Sequence, residues 1–182
     1  AEIDLANRSF GQGVAVTQLQ LATSFSTMVN GGYRVTPYLV DGIGGERLER
    51  PPAEPVIDAQ LSAELTDLMT HVVTRVPWYA EGTLIPGYAV GGKTGTAQIW
   101  DGERQDWVPL TYNFSFVGFV GQDGPDAVIA VRIGPARPKV IRQGELELSI
   151  TSYELFRRIA LDTIDVLGIP PAEAPRRDDL GR

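Results

Sequence analysis

Lys93, Thr94 and Thr96 stand in the stretch Gly91-Gly92-Lys93-Thr94-Gly95-Thr96-Ala97-Gln98, where a cation and two hydroxyls alternate with glycines. Val90 before the stretch and Ile99 and Trp100 after it predict a strand, in which period two turns Thr94 and Thr96 to one face on either side of Gly95. Two hydroxyls and exposed backbone groups on one face suit an anionic or amide-bearing partner. Gly95 is the candidate floor for that ligand, because glycine within a strand marks close backbone approach. Lys93 supplies the positive charge. Of the sixteen Lys and Arg residues only Lys93 and Lys139 are lysines, so Arg is the default cation and Lys93 departs from it. A lysine offers a compact ammonium whose proton affinity can be tuned, whereas Arg offers a broad fork that stays charged. A bare Lys-Thr-Gly is most often a Gly-rich edge strand with a solvated lysine, so the rest of the chain has to supply the context.

The 182 residues are 43% hydrophobic and 21% charged, which fits one globular core. A net charge of −7 and a pI near 4.7, with no stripe of Lys or Arg, argue against a nucleic-acid or anionic-membrane surface. With no cysteine and a single histidine, the sequence has no disulfide framework, no thiolate nucleophile and no Cys-rich or His-rich metal set, so metal catalysis is not expected. No apolar run approaches membrane-spanning length, and Ala1 to Phe10 lacks the regions of a signal peptide; the chain as given is expected to be soluble.

The elements that position Lys93 follow in order. Ser9-Phe10-Gly11-Gln12-Gly13 predicts a tight loop entering a helix, for which Thr17 and Gln20 form a capping box and Leu21, Ala22, Phe25, Met28 and Val29 an apolar stripe. Asn30-Gly31-Gly32 stops it, and Tyr33 to Pro55 is expected to be surface structure broken by glycine and proline. A second helix starts at Asp58 and carries Leu61, Leu65, Leu68, Met69, Val72 and Val76 as its core stripe until Pro77 ends it. His71, on its flank, is expected to be structural or solvated. Trp78 to Gly87 is then a loop whose aromatics line a groove or cover the core. After Trp100, Asp101 to Asp106 forms a turn, Phe114 to Val120 a second strand, and Ala127 to Ile133 a third, apolar enough for both of its faces to be covered in the middle of a sheet. Short links make these neighbours antiparallel. Tyr153, Phe156, Ile159, Ala160, Ile164 and Leu167 mark a last amphipathic helix ended by Gly168. The fold class is α+β, an antiparallel sheet packed with helices.

Ser9-Phe10-Gly11-Gln12-Gly13, Thr17-Gln18-Leu19-Gln20-Leu21-Ala22, Asn30-Gly31-Gly32, Gly92-Lys93-Thr94-Gly95-Thr96-Ala97-Gln98 and Ser115-Phe116-Val117-Gly118-Phe119 occur here in an order that resembles penicillin-binding proteins. The Thr-Ala-Gln ending is similar to the class B, monofunctional members. The resemblance covers the chain to about Gly168 and implies the C-terminal portion of a transpeptidase domain, of the fold shared with serine β-lactamases, over residues 1–171, with a disordered tail over 172–182.

In that family a Ser-x-x-Lys, a Ser-x-Asn and the Lys-Thr-Gly strand build one site. Lys93 and Lys139 are preceded three residues earlier by Val90 and Ala136, and Asn7, Asn30 and Asn113 two residues earlier by Leu5, Met28 and Thr111, so only the third motif occurs in this sequence. The resemblance implies that the nucleophilic serine lies upstream, where it would attack a D-Ala-D-Ala carbonyl or a β-lactam and pass the acyl group to an amine. By matching position, Lys93 would polarise the site, Thr94 and Thr96 would bind the substrate carboxylate, the Thr96 N–H would join the oxyanion hole, and Gly95 would keep the strand approachable. No cofactor is implied. The implied partners are peptidoglycan stem peptides, β-lactams and the N-terminal half of the domain, and the implied location of the full-length, membrane-anchored protein is the extracytoplasmic face of the bacterial membrane. The strand over Ala127 to Ile133 would then have one bare edge, through which the chain alone is expected to self-associate. A non-catalytic β-lactam-binding or peptide-binding sensor that kept the strand without the nucleophile is the alternative. A serine β-lactamase relative fits less well with the Gly-Gln-Gly helix entry.

Overall fold

The computed structural model describes residues 11, 13–138, 140–142, 145–147 and 150–173. Its elements are α1 (Gln18–Val29), four two-residue strands β1 (Tyr33–Arg34), β2 (Gly42–Ile43), β3 (Glu46–Arg47) and β4 (Glu54–Pro55), then α2 (Ala59–Arg75) and α3 (Pro77–Thr83). They are followed by β5 (Ala89–Asp101), β6 (Asp106–Gly121), β7 (Ala127–Ala136), the short pair β8 (Val140–Arg142) and β9 (Glu145–Glu147), and α4 (Ser152–Leu167). Ser9, Phe10 and Gln12 of the motif Ser9 to Gly13 lie outside the described residues, as does Lys139.

The sheet that carries Lys93 is antiparallel with the order β5-β6-β7. One face buries Val90, Phe116, Val120 and Val131 against Phe156, Ala160 and Ile164 of α4. The other buries Phe119 against Phe25 and Val29 of α1. Alternation along the strands explains the split: Phe116 pairs with Val131 on the α4 side, and Phe119 with Val128 on the α1 side. The expected α+β architecture is the one observed.

The strands differ from the sequence expectation in two respects. The strand β7 is packed by α1 and α4, yet it lies at the edge of the sheet, and β6 is the central strand; among the described residues no strand pairs with the outer side of β7. β6 is also longer than the apolar run suggests. Its pairing with β5 jumps from Gln98↔Tyr112 to Trp100↔Trp107, which leaves Pro109 and Leu110 (φ 51°) in a bulge between two ladder segments. A proline without an N–H can stay in a paired strand at such an irregularity. Ala172 donates its N–H to the Gly87 carbonyl at 2.8 Å; residues 174–182, most of the segment assigned to a tail, lie outside the described residues.

The start of α1 follows the capping box: the Gln20 N–H donates to Thr17 Oγ1 at 3.1 Å and the Thr17 N–H to Gln20 Oε1 at 2.9 Å. At its end, Asn30 binds both backbone groups of Tyr33, and the carbonyl of Gly32 accepts from Val56 and Ile57. Asp58 caps α2 through the Leu61 N–H at 2.8 Å. The stripe assigned to this helix holds only in part: Leu65, Met69, Val72 and Val76 are half-buried, and Met69 packs against Phe25, Val29 and Phe119. Leu61 and Leu68 are exposed, while Ser62 and Val73 are buried.

The inner line of α2 also includes Ser62, Thr66, Thr70 and Val73. Thr66 and Thr70 donate their hydroxyls to carbonyls four residues back, and Ser62 reaches across to the Met28 carbonyl of α1 at 2.9 Å. Small self-satisfied residues let the helix press on the glycines of β5. A Cβ on Gly91 would stand 3.0 Å from the Thr70 nitrogen and 2.4 Å from the Phe119 ring.

α4 opens with a second capping box, in which the Thr151 N–H and hydroxyl both donate to Glu154 Oε2 at 2.8 Å and the Glu154 N–H returns to Thr151 Oγ1 at 3.2 Å. The Thr151 backbone N–H, then its hydroxyl, and less so the Arg158 charge, hold the Glu154 carboxyl below its usual range. A lowered folded-state pKa stabilises above the unfolded carboxylate range and is lost as pH falls through the folded value. Glu154→Gln is therefore expected to destabilise the intact protein near neutrality. The gap to wild type should close as pH drops below about 4, the ordinary Glu range, in urea titrations at several pH values. A pH-independent gap would show that the charge contributes nothing.

Candidate active site

Lys93, Thr94, Gly95 and Thr96 occupy the middle of β5, on the side of the sheet opposite β7. β6 pairs with one side of β5, and among the described residues no strand pairs with the other. Register puts Thr94 opposite Phe116 and Thr96 opposite Phe114, so both threonines share the α4 face while Lys93, opposite Val117, starts on the α1 face. Its ammonium nonetheless donates to the Thr94 carbonyl at 3.0 Å and lies 3.4 Å from Thr94 Oγ1.

The glycines set how close this strand lies to its neighbours. A Cβ at Gly92 would meet the Phe116 ring at 2.6 Å and the Val117 carbonyl oxygen at 2.6 Å. At Gly95 it would meet Ser115 Oγ at 2.6 Å. Ser115 in turn donates to the Gly95 carbonyl at 3.5 Å, and Ser152 of α4 donates to the Ser115 carbonyl at 3.0 Å. Gly95 therefore allows close approach between β5 and β6 on the face opposite the threonines. Lys93 and Thr96 are exposed, and Thr94 is half-buried.

Half-burial of Thr94 comes from Tyr79, which the sequence placed in a loop. The segment instead forms α3, with Val76 in extended conformation (φ −95°, ψ 109°) ending α2 and Pro77 in the first turn of the new helix. A proline that stops one helix is equally suited to begin another, since its missing N–H has no intrahelical partner there. The Tyr79 hydroxyl is hydrogen-bonded to Thr94 Oγ1. Sequence signal for this contact was limited to the aromatic pair Trp78 and Tyr79 ahead of the strand. His71 is exposed on α2 and has no part in this cluster. Among the described residues no group of three His, Cys, Asp or Glu side chains is placed to hold a metal, and no helix is long and apolar enough to cross a membrane.

The fold is thus α+β, with the Lys-Thr-Gly-Thr stretch on an edge strand, helices packed on both faces of the sheet, and the Lys93 ammonium beside the Thr94 hydroxyl. Residues 2–146 match the family model described as the penicillin binding protein transpeptidase domain, and the chain belongs to that family, among its class B members. It is 32% identical over 179 residues to the stage V sporulation protein D of Bacillus subtilis, an alignment covering 93% of this chain and 26% of that protein. To the penicillin-binding protein PbpB of Mycobacterium tuberculosis it is 33% identical over 143 residues, 72% of this chain and 21% of the relative. The chain thus spans about a quarter of the length of these relatives. Among solved structures it is similar to penicillin-binding protein 3 of Mycobacterium tuberculosis complexed with ampicillin (TM-score 0.75, 27% identity, covering 94% of this chain and 39% of that one). The transpeptidase domain of penicillin-binding protein 3 from Burkholderia pseudomallei superposes equally well (TM-score 0.75, 25% identity, 96% and 49% coverage).

Proposed function

We propose that this chain supplies the Lys-Thr-Gly wall of a peptidoglycan D,D-transpeptidase whose nucleophilic serine lies outside these 182 residues. The observation that carries the proposal is the placement of Lys93, Thr94 and Thr96 on the outer strand of the sheet, with the Lys93 ammonium drawn to the Thr94 hydroxyl. An anionic peptide lying along that edge meets a positive point charge and two hydroxyls at once.

In the proposed reaction the serine oxygen bonds to the carbonyl carbon of the penultimate D-Ala, and its proton leaves to a nearby base. The carbonyl oxygen becomes an oxyanion, to which the Thr96 backbone N–H donates. The C–N bond then breaks, the terminal D-Ala departs with a proton on its amine, and the acyl-enzyme remains. An amine from a neighbouring stem peptide attacks this ester and regenerates the serine. Thr94 and Thr96 hold the terminal carboxylate, and Lys93 stabilises the negative charge that gathers near it. A β-lactam enters by the same carboxylate contacts and stops at the acyl stage. The peptide stems and the extracytoplasmic membrane face, where cell-wall crosslinking occurs, follow from this assignment. The test is formation of a covalent benzylpenicillin adduct by the intact protein on a serine outside residues 1–182.

A further inference from the structure

We propose that Tyr79 is a positioning residue of this site: its phenol fixes the Thr94 hydroxyl as a hydrogen-bond donor toward the ligand carboxylate. The proposal deepens the transpeptidase reading and rests on it. A threonine hydroxyl has one hydrogen to give and two lone pairs to accept with. The Lys93 ammonium, 3.4 Å from Thr94 Oγ1, has no lone pair and therefore takes up one of these acceptor positions. A phenol O–H is more acidic than an aliphatic O–H and is the better donor, so the contact between the two hydroxyls runs from Tyr79 to Thr94. Both lone pairs are then engaged. The Thr94 hydrogen is left for a third partner, and that partner must be an acceptor. An ionised carboxylate is acceptor-only and fits; an amide N–H or an ammonium finds no lone pair to use. Tyr79 thus turns an ambivalent hydroxyl into one that selects acceptors, of which an ionised carboxylate is the strongest.

The tyrosine is held for this role from below, by contacts that do not involve its own hydroxyl. Its ring meets Tyr153 of α4 edge-on at 5.5 Å and Trp78 at 6.2 Å. Thr83, fully buried, donates its hydroxyl to the Tyr79 carbonyl, and Arg157 of α4 donates to the Leu84 carbonyl at 3.1 Å, which ties the end of α3 to α4. Gly82 permits the fit, since a Cβ there would lie 2.5 Å from the Tyr153 ring. Tyr79→Phe consequently removes one hydrogen bond while the ring keeps its neighbours.

The experiment is a double-mutant cycle in the intact protein with Tyr79→Phe, Thr94→Val and the pair, measuring the pre-covalent Kd and the acylation rate constant for benzylpenicillin and for its methyl ester. Tyr79→Phe is expected to weaken the Kd of the acid by about five- to tenfold, the size of one net hydrogen bond, with a smaller loss for the ester, whose neutral carbonyl is the weaker acceptor, and little change in the acylation rate constant. In the Thr94→Val background it should have no further effect. Equal losses for acid and ester, or losses that add across the pair, would overturn the role of Tyr79. A wild type that acquires no adduct at all would overturn the transpeptidase reading together with it. Should Tyr79→Phe lower the melting temperature, the acid-to-ester ratio still decides, because destabilisation reduces the active fraction equally for both ligands.

Discussion

Replacing Lys93 with Ala in the intact protein is expected to lower the rate of β-lactam acylation by about a hundredfold or more while leaving thermal stability nearly unchanged. The rate effect follows from removing a fixed positive charge next to the position where negative charge gathers, the kind of loss that costs about 10²–10³ when one such group is deleted. The stability expectation follows from its surroundings. Lys93 is exposed, and among the described residues its ammonium donates to the Thr94 carbonyl and hydroxyl already described. Surface substitutions of that kind stay within about 0.5 kcal/mol. Stopped-flow acylation kinetics beside a thermal melt separate the two. A matching fall in stability and rate would show that Lys93 holds the fold rather than the ligand.

A large stability effect is expected one residue earlier. Gly92→Ala places a methyl 2.6 Å from the ring of Phe116, which is fully buried and has nowhere to swing, and 2.6 Å from the Val117 carbonyl oxygen in the β5–β6 ladder. Either the ring leaves its place against Phe156, 4.7 Å away between centroids, or the two strands separate at the site. Overpacking of this kind costs about 1–3 kcal/mol, and here the upper end is expected because both obstacles are rigid. For a domain of this size that is a fall of roughly 6–12 °C in Tm. Gly102→Ala is the control, since nothing lies within 4 Å of the added methyl. Equal melting temperatures for the two variants would contradict the packing described for β5.

What the sequence made legible and what it did not divide along physical lines. The strands β5 to β7, the capping box at Thr17, the Asp58 cap and the Gly168 stop depend on local periodicity and local hydrogen bonding, and each is where the residues place it. The apolar spacing of α2 marks its inner face only in part: Met69 packs against Phe25, Val29 and Phe119, whereas Leu61 and Leu68 are exposed. The helix is pressed against Gly91 at Thr70; Thr66 and Thr70 donate to carbonyls four residues back, and Ser62 to the Met28 carbonyl of α1. Pro77 carries two opposite meanings, stop and start, and only the position of Val76 decides between them. The contact between Tyr79 and Thr94 joins residues of separate elements, and no spacing rule foretells which face of a seven-residue helix meets a strand. Lys93, Thr94, Gly95 and Thr96 could be picked out because glycine, hydroxyl and the rare lysine coincide in one strand.

The central claim is that residues 93–96 form one wall of an acyl-transfer site whose nucleophile is not among these 182 residues. No serine of the sequence has a lysine three residues on, and Ser62, Ser115 and Ser152 each donate to a backbone carbonyl rather than to a base. An unactivated serine is a weak nucleophile. Intact-mass spectrometry after incubation with benzylpenicillin, run on the 182-residue chain beside the full-length protein, tests this most directly. The expected result is a mass increase of one penicillin on the full-length protein, mapped to a serine upstream of Ala1, and an unchanged mass for the 182-residue chain. A stable acyl adduct on the 182-residue chain itself would contradict the claim.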